Sequence, residues 1–249
     1  MRTNNPVLSK FADTARSTFG LTSPGAMTVA GTAGKASLLL ALVVFSAALT
    51  WQQVASGRTD LIMPAMLVGG LGGFLFAMMT SFRPQWAPWT APIYASLEGI
   101  LLGAISALYN ARFAGLPQQA VLLTFGVTLG VLTLYRFRVL QASAGFKRMM
   151  LGATMGIGLF YLGSFLLSLF GVQIGYFNST SWLAIGVNVA IAGVAALNLV
   201  LDFDRIEEGA RMGAPKAMEW FAAFGLMVTL IWLYLELLRL LSRLQGRRD

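Results

Sequence analysis

Two carboxylates stand in strongly apolar sequence near the end of this chain. Asp202 closes the run LVLD, and Glu236 lies within WLYLELL, in a chain that contains only ten acidic residues. An ionisable side chain at membrane depth is rare unless it has a partner or a path to water, and it usually marks an ion or proton site. These two carboxylates are therefore the first candidates for function.

Glu98 is a third candidate, about two helical turns into an apolar segment that begins near Ala91. Arg83 and Arg136 flank the neighbouring apolar segments and are possible charge partners for it. Because buried ion pairs are often structural, Glu98 either binds an ion or a proton or neutralises a buried arginine.

The spacing of nearby arginines offers a structural alternative for the first two acids. Asp202 and Arg205 are three residues apart, as are Glu236 and Arg239, so each pair shares one helical face. In this alternative, Glu236 pairs with Arg239 or Arg243 at the membrane interface. Asp202 then only caps or ends its helix.

Several chemistries are excluded by composition. The chain has no histidine and no cysteine, which removes HExxH zinc sites, thiol nucleophiles and histidine-based dyads. The segment GTAGKAS, residues 31–37, lacks the first glycine of a phosphate loop and has Ala36 where Ser or Thr would bind magnesium. Neither Asp202 nor Glu236 stands in the YD or GxGD context of intramembrane aspartyl proteases. We expect neither an enzyme nor a resident cofactor.

The elements that position these residues are membrane-spanning helices. Of the 249 residues, 57% are hydrophobic and 11% are charged, against about 25% charged in soluble domains. Runs of about 20 apolar residues, long enough to cross a bilayer, predict seven spans: 36–55, 60–81, 91–111, 117–135, 149–170, 181–201 and 219–241. We divide the chain into a polar segment 1–35 with a possible interfacial helix, a seven-helix membrane domain 36–241, and a basic tail 242–249.

The net charge of +8 comes from basic residues in the loops and tails. They form no stripe interleaved with aromatic residues, so we expect no nucleic-acid partner. Their bias towards one side predicts a cytoplasmic N-terminus under the positive-inside rule. Seven spans then leave Arg239, Arg243, Arg247 and Arg248 on the outer side, in conflict with that rule.

Glycine pairs four residues apart predict close helix packing. Three such pairs lie within predicted spans, and a denser cluster in the second span indicates either a very close approach or a flexible break. The pairs are 99 and 103, 126 and 130, and 152 and 156, and the cluster is 69, 70, 72 and 73.

The chain also resembles a known family. The stretches LDFDRIEEGA, APKAMEWFAAFGLMVTLIWLYLELLRLL, APIYASLEGILLGAIS and AVLLTFGVT, with the opening RTNNPVLSKF, are similar to the Bax inhibitor-1 family in its bacterial YccA-like branch. The resemblance covers nearly the whole chain. It implies a seven-helix bundle in a bacterial inner membrane, with the last helix central and wrapped by the other six.

The resemblance also implies a function and a site. Several members of the family are pH-sensitive calcium leak channels with a pair of aspartates that joins the sixth and seventh helices. Asp202 matches the first acid and Glu236 the second, with glutamate in place of the usual aspartate and a longer intervening segment. If the two meet, they share a proton that acts as a switch. Both carboxylates are also the expected weak ligands for calcium, which prefers oxygen donors.

We therefore expect a pH-sensitive cation leak gated by Asp202 and Glu236, with calcium as the permeant ion and not a cofactor. An alternative from another class is a non-conducting protein that binds a membrane-bound AAA protease or another membrane complex through its polar N-terminus. Deletion of residues 1–20 distinguishes these two hypotheses. Loss of partner co-purification with intact flux favours the interaction protein, and the reverse favours the channel. A proton-coupled transporter, a third possibility, would move a solute uphill.

Overall fold

A computed structural model describes residues 25–172 and 180–247, which form seven long α-helices. The helices are α1 Val29–Ala55, α2 Ile62–Phe82, α3 Ala87–Arg112, α4 Leu116–Arg136, α5 Ala144–Leu169, α6 Trp182–Arg211 and α7 Met218–Gln245. Short 3-10 turns, Thr59–Leu61 and Pro84–Trp86, precede α2 and α3. At 1.5 Å per residue even the shortest helix reaches about 30 Å, the thickness of the hydrocarbon core.

The prediction of seven membrane-spanning helices is confirmed. Two boundaries differ in ways that matter for function. α1 begins at Val29 and not at residue 36, because the Thr28 hydroxyl accepts a bond from the Gly31 amide and caps the helix. α6 continues to Arg211, well beyond the predicted end at residue 201. The segment 1–24, where an interfacial helix was predicted, lies outside the described residues.

The last helix lies at the centre of the bundle. α7 packs against α1, α3, α4 and α6. It contributes Met227 and Leu238 to an apolar cluster with α1 and α3, and Leu233 and Leu237 to a second cluster with α4 and α6. The more peripheral α2 packs mainly on α3, and α5 mainly on α6. A polar residue on α7 is therefore enclosed by neighbouring helices.

The glycine pairs divide into two groups. Gly99 and Gly103 of α3 face the backbone of α1, where a Cβ would crowd the carbonyl oxygens of Val43 and Ala47. Gly69 meets the backbone of α3, so the glycine cluster marks a close approach within a continuous α2. These packing predictions are confirmed.

The other two pairs, on α4 and α5, meet no neighbour within 4 Å among the described residues. The expectation that they pack helices within this chain is wrong. The pattern predicts that a face is smooth, but which helix lies against that face depends on the tertiary arrangement.

Candidate functional site

A stripe of polar residues runs along the face of α7 that meets α6. Thr229, Glu236 and Arg243 are spaced seven residues apart, an interval that returns side chains to nearly the same helical face. All three are buried, at 9%, 1% and 4% exposure. Each of the three side chains contacts α6. We call this row of polar contacts between α6 and α7 the polar seam. It has an inner level at Thr229 and an outer level at Glu236 and Arg243.

The inner level consists of Asp202 and Thr229. The Thr229 hydroxyl donates a hydrogen bond of 2.6 Å to the Asp202 carboxylate, whose residue is 7% exposed. Arg205 approaches the same carboxylate at 3.5 Å, but its own side chain is 72% exposed. Because α6 continues to Arg211, Asp202 lies inside the helix, and the interpretation of Asp202 as a cap or helix end is wrong.

Asp202 and Glu236 do not form the carboxylate pair that the resemblance implied. Thr229 is the α7 residue bonded to Asp202. Glu236 lies seven residues further along, about 10 Å away along the helix axis, and bonds to Asn188 on α6. Since α6 and α7 run antiparallel, each carboxylate meets a different level of the other helix. The two therefore do not share a proton directly.

The outer level is a network centred on Glu236. Its carboxylate accepts bonds from the Tyr161 hydroxyl of α5 at 2.7 Å and from the Asn188 amide at 2.9 Å. Arg239 donates to both carboxylate oxygens at 3.1 Å and to the Tyr161 oxygen at 2.7 Å. The predicted pairing of Glu236 with Arg239 is thus present, but it is buried and ties three helices together.

The C-terminal arginines that conflicted with the charge rule belong largely to the bundle. Arg243 is buried and donates to the carbonyl of Ala184 at 2.8 Å. Arg247 lies over the ring of Trp182, 3.9 Å from its centroid. Because Arg239 and Arg243 are interior contacts of α7, they are not free loop charges that report topology. Arg248 lies outside the described residues.

Glu98 faces α2, away from the polar seam. Its partner is the hydroxyl of Tyr94, one turn earlier on α3. One carboxylate oxygen comes close to Gly73, where a Cβ would stand 2.9 Å away. The suggested partners lie elsewhere: Arg83 stacks on Trp86, and Arg136 ends α4 without forming an ion pair to Glu98 among the described residues.

Glu219, at the start of α7, is a buried acid that sequence reasoning missed. It is 0% exposed, forms an ion pair with Lys35, and accepts bonds from the amide and hydroxyl of Thr28 at 2.9 and 3.0 Å. A Cβ on Gly31 would overlap its carboxylate. The available signal was topological, because seven spans place the start of α1 and the start of α7 on the same side of the membrane.

The remaining acids of α6 form a surface cluster near its end. Lys147 approaches Asp204 at 2.6 Å and Glu208 at 4.0 Å, and the Tyr135 hydroxyl donates to Glu207 at 2.9 Å. Across residues 25–172 and 180–247, acidic side chains nowhere gather in threes as a multidentate metal site would require. Because Asp202 and Glu236 lie at levels about 10 Å apart along the helix axis, one cation contacts one of them at a time.

Comparison with known families agrees with this architecture. The family described as Bax inhibitor 1 like matches residues 5–246. The chain belongs to that family. The matched residues of this Bax inhibitor 1 like protein include all seven helices and the residues of the polar seam. Membership of the bacterial YccA-like branch stays a prediction. Searches of curated proteins and of solved structures found no significant match.

Proposed function

We propose that this Bax inhibitor 1 like protein is a pH-sensitive leak for cations, calcium foremost, and that Asp202 is the titrating group of its gate. The observation that carries the proposal is the buried contact between Asp202 and Thr229, which joins the central helix to α6. A carboxylate enclosed at membrane depth is costly without a function, and its default role is an ion or proton site.

The geometry around Thr229 allows Asp202 to be either ionised or protonated while the two side chains stay hydrogen-bonded. Its hydroxyl has one proton and two acceptors within reach, the Asp202 carboxylate at 2.6 Å and the Gly225 carbonyl at 3.2 Å. When Asp202 is ionised, Thr229 donates to it. When Asp202 is protonated, it donates to the Thr229 oxygen, and the Thr229 proton turns to Gly225. The contact persists in both states, so the variable that pH controls is the negative charge.

That charge determines whether the seam attracts a cation. Ionised Asp202 offers hard oxygen ligands of the type that calcium prefers. Within residues 25–172 and 180–247, the competing cationic side chain is that of the largely exposed Arg205. Protonated Asp202 keeps a carbonyl oxygen but has no negative charge to attract a cation, so the contact of α6 and α7 then stays free of a bound cation. We therefore assign the conducting state to ionised Asp202 and the closed state to its protonated form.

Glu236 serves a different purpose in this proposal. Its charge is already balanced by Arg239 and held by Tyr161 and Asn188, so a cation reaching the outer level must displace Arg239. Glu236 is thus a weak second ligand that affects the rate of flux but not its pH dependence. Glu98, bonded to Tyr94 and away from the seam, lies outside the proposed path.

Calcium flux into proteoliposomes between pH 5 and 8 tests the proposal. Wild-type flux is expected to rise with pH. Asp202→Asn, neutral at every pH, is expected to give low flux without pH dependence. The matched control is Asp204→Asn, on the same helix but 27% exposed and paired with Lys147; it should behave as wild type. Unchanged pH dependence in Asp202→Asn overturns the assignment, and flux no greater than in empty liposomes favours the non-conducting interaction protein.

A further inference from the structure

An apolar groove of 590 Å³ opens on the side of the bundle between α1, α3, α4 and α7. Its volume lies within the range of about 300–1,000 Å³ that is typical of small-molecule sites. Its rim is formed by exposed apolar side chains, including Val44 at 58% and Leu122 at 73%. Its floor reaches the central helix at Leu230, Ile231 and Tyr234.

The lining is suited to hydrocarbon. It contains no charged side chain, and its buried polar groups are already satisfied within the protein. The hydroxyls of Ser106 and Tyr234 bond to each other at 2.7 Å, and Thr124 donates to the carbonyl of Ala120 at 2.7 Å. A polar ligand would find few free partners there, whereas an acyl chain needs no hydrogen-bond partner and fills the groove by van der Waals packing.

The position of the groove along the helices indicates its occupant. It follows α1 from Leu40, near mid-membrane, to Trp51, close to the helix end at Ala55. At 1.5 Å per residue this distance is about 16 Å, or half of the hydrocarbon thickness of about 30 Å. Gln118, in the first turn of α4, lies at the same end. Trp51 and Gln118 are therefore at interface depth, where phospholipid headgroups begin.

We propose that this groove binds one acyl chain of a membrane phospholipid from the leaflet that contains the α1–α2 turn. The acyl chain rests on Ile231 and Tyr234, which lie on a different face of α7 from the polar seam, and it touches Leu230 at the edge of the groove. A bound chain thus packs against the central helix where the groove reaches it between α1, α3 and α4. The site does not depend on the proposed cation leak.

Photolabelling by a phospholipid with a diazirine in its acyl chain tests the site. The full chain is reconstituted in vesicles of phosphatidylethanolamine and phosphatidylglycerol that contain this probe, and the labelled residues are mapped by mass spectrometry. Labelling is expected at residues 230–234, whose members Leu230 and Ile231 are only 7% and 6% exposed. Label confined to the lipid-facing surfaces of α2 and α5 would overturn the proposal.

A groove-filling variant makes the test specific. Ala48→Phe places a ring in the groove, whereas Ala41→Phe adds the same ring at an exposed position of α1 outside the lining. Labelling of residues 230–234 is expected to be largely lost in Ala48→Phe, because the ring occupies the space of the acyl chain, and to be unchanged in Ala41→Phe. Equal labelling in both contradicts the site. Circular dichroism confirms that each variant is folded.

A second copy of the chain is the main competing occupant. The protein has no native cysteine, so Leu122→Cys on the groove rim introduces a single thiol. Disulfide-linked dimers through this cysteine, together with absence of acyl-chain label on residues 230–234, would assign the groove to protein association and overturn the lipid proposal. Monomers that carry the label support it.

Discussion

The carboxylate of Asp202 and the hydroxyl of Thr229 meet at 2.6 Å between the sixth helix and the central seventh helix. Glu236, a buried acid on the seventh helix itself, does not join this contact. It bonds to Tyr161, Asn188 and Arg239 at a different level. The inner level therefore pairs one carboxylate with a hydroxyl, and the second carboxylate belongs to a separate network with Arg239.

Removing the Thr229 hydroxyl is expected to destabilise the bundle. Thr229→Val keeps the shape but leaves a buried carboxylate without its donor, which costs about 1.5–3 kcal/mol for a bond to a charged group. Thr128→Val is the matched control, because that hydroxyl donates only to the carbonyl of Thr124 in its own helix. SDS-induced unfolding in mixed micelles measures the loss of stability in both variants. Equal losses would contradict the importance of the contact between the helices.

The same pair can be examined by a double-mutant cycle. Asp202→Asn and Thr229→Val are expected to be non-additive by about 0.5–3 kcal/mol, as is usual for residues in direct contact. Additive effects in the same SDS titration would show that the two side chains act independently.

The network at Glu236 predicts a graded series of losses. Tyr161→Phe removes a hydroxyl that donates to Glu236 and accepts from Arg239, and should cost about 1.5–3 kcal/mol. Glu236→Gln breaks the buried ion pair with Arg239 and should cost about 3–5 kcal/mol, the range for breaking such a pair. Tyr135→Phe, which loses only an exposed bond to Glu207, serves as the control. Thermal unfolding in detergent gives the ranking, and the reverse order would refute it.

Gly31 and Gly34 are expected to respond in opposite directions to alanine. A Cβ at residue 31 overlaps the Glu219 carboxylate, whereas a Cβ at residue 34 meets nothing within 4 Å. Gly31→Ala should therefore lower the midpoint of thermal unfolding. Gly34→Ala should raise stability by about 0.5–1 kcal/mol, since alanine is favoured over glycine within a helix. A tolerated Gly31→Ala would mean that the contact between Glu219 and the start of α1 is not required.

The two groups of glycine pairs predict a similar contrast. Gly99→Ala should destabilise the protein, because its Cβ would crowd the Val43 carbonyl of α1. Gly126→Ala should be neutral or slightly stabilising, because its position is open. The midpoints of thermal unfolding of the two variants, measured side by side, test both expectations. Destabilisation by Gly126→Ala in membranes, but not in dilute detergent, would indicate a partner outside this chain.

Orientation can be measured with single cysteines, since the chain has none of its own. Ser56→Cys lies between α1 and α2, and Ser143→Cys lies between α4 and α5. If the N-terminus is cytoplasmic, an impermeant maleimide labels Ser56→Cys on intact cells and labels Ser143→Cys only after permeabilisation. Arg247→Cys should behave as Ser56→Cys, because α7 is long and apolar enough to cross the membrane. The opposite pattern would reverse the predicted orientation.

The sequence by itself determined the helices and the residues that required explanation. Apolar runs of sufficient length can satisfy their backbone in a bilayer only as helices, so seven spans were predictable to within a few residues for most boundaries. The cost of a charge in lipid singled out Asp202, Glu236 and Glu98 before any contact was known. The similarity along the whole chain indicated the family.

The tertiary structure decided which residues meet. The register of two antiparallel helices pairs Asp202 with Thr229 and Glu236 with Asn188, and no periodicity within one helix specifies that register. No local sequence pattern identified Glu219 as a buried acid, because its partners lie 184 and 191 residues away in the sequence. Glycine pairs look alike in sequence whether they face a helix or lipid. Apolar side chains are equally suited to both surroundings, so only the three-dimensional packing distinguishes them.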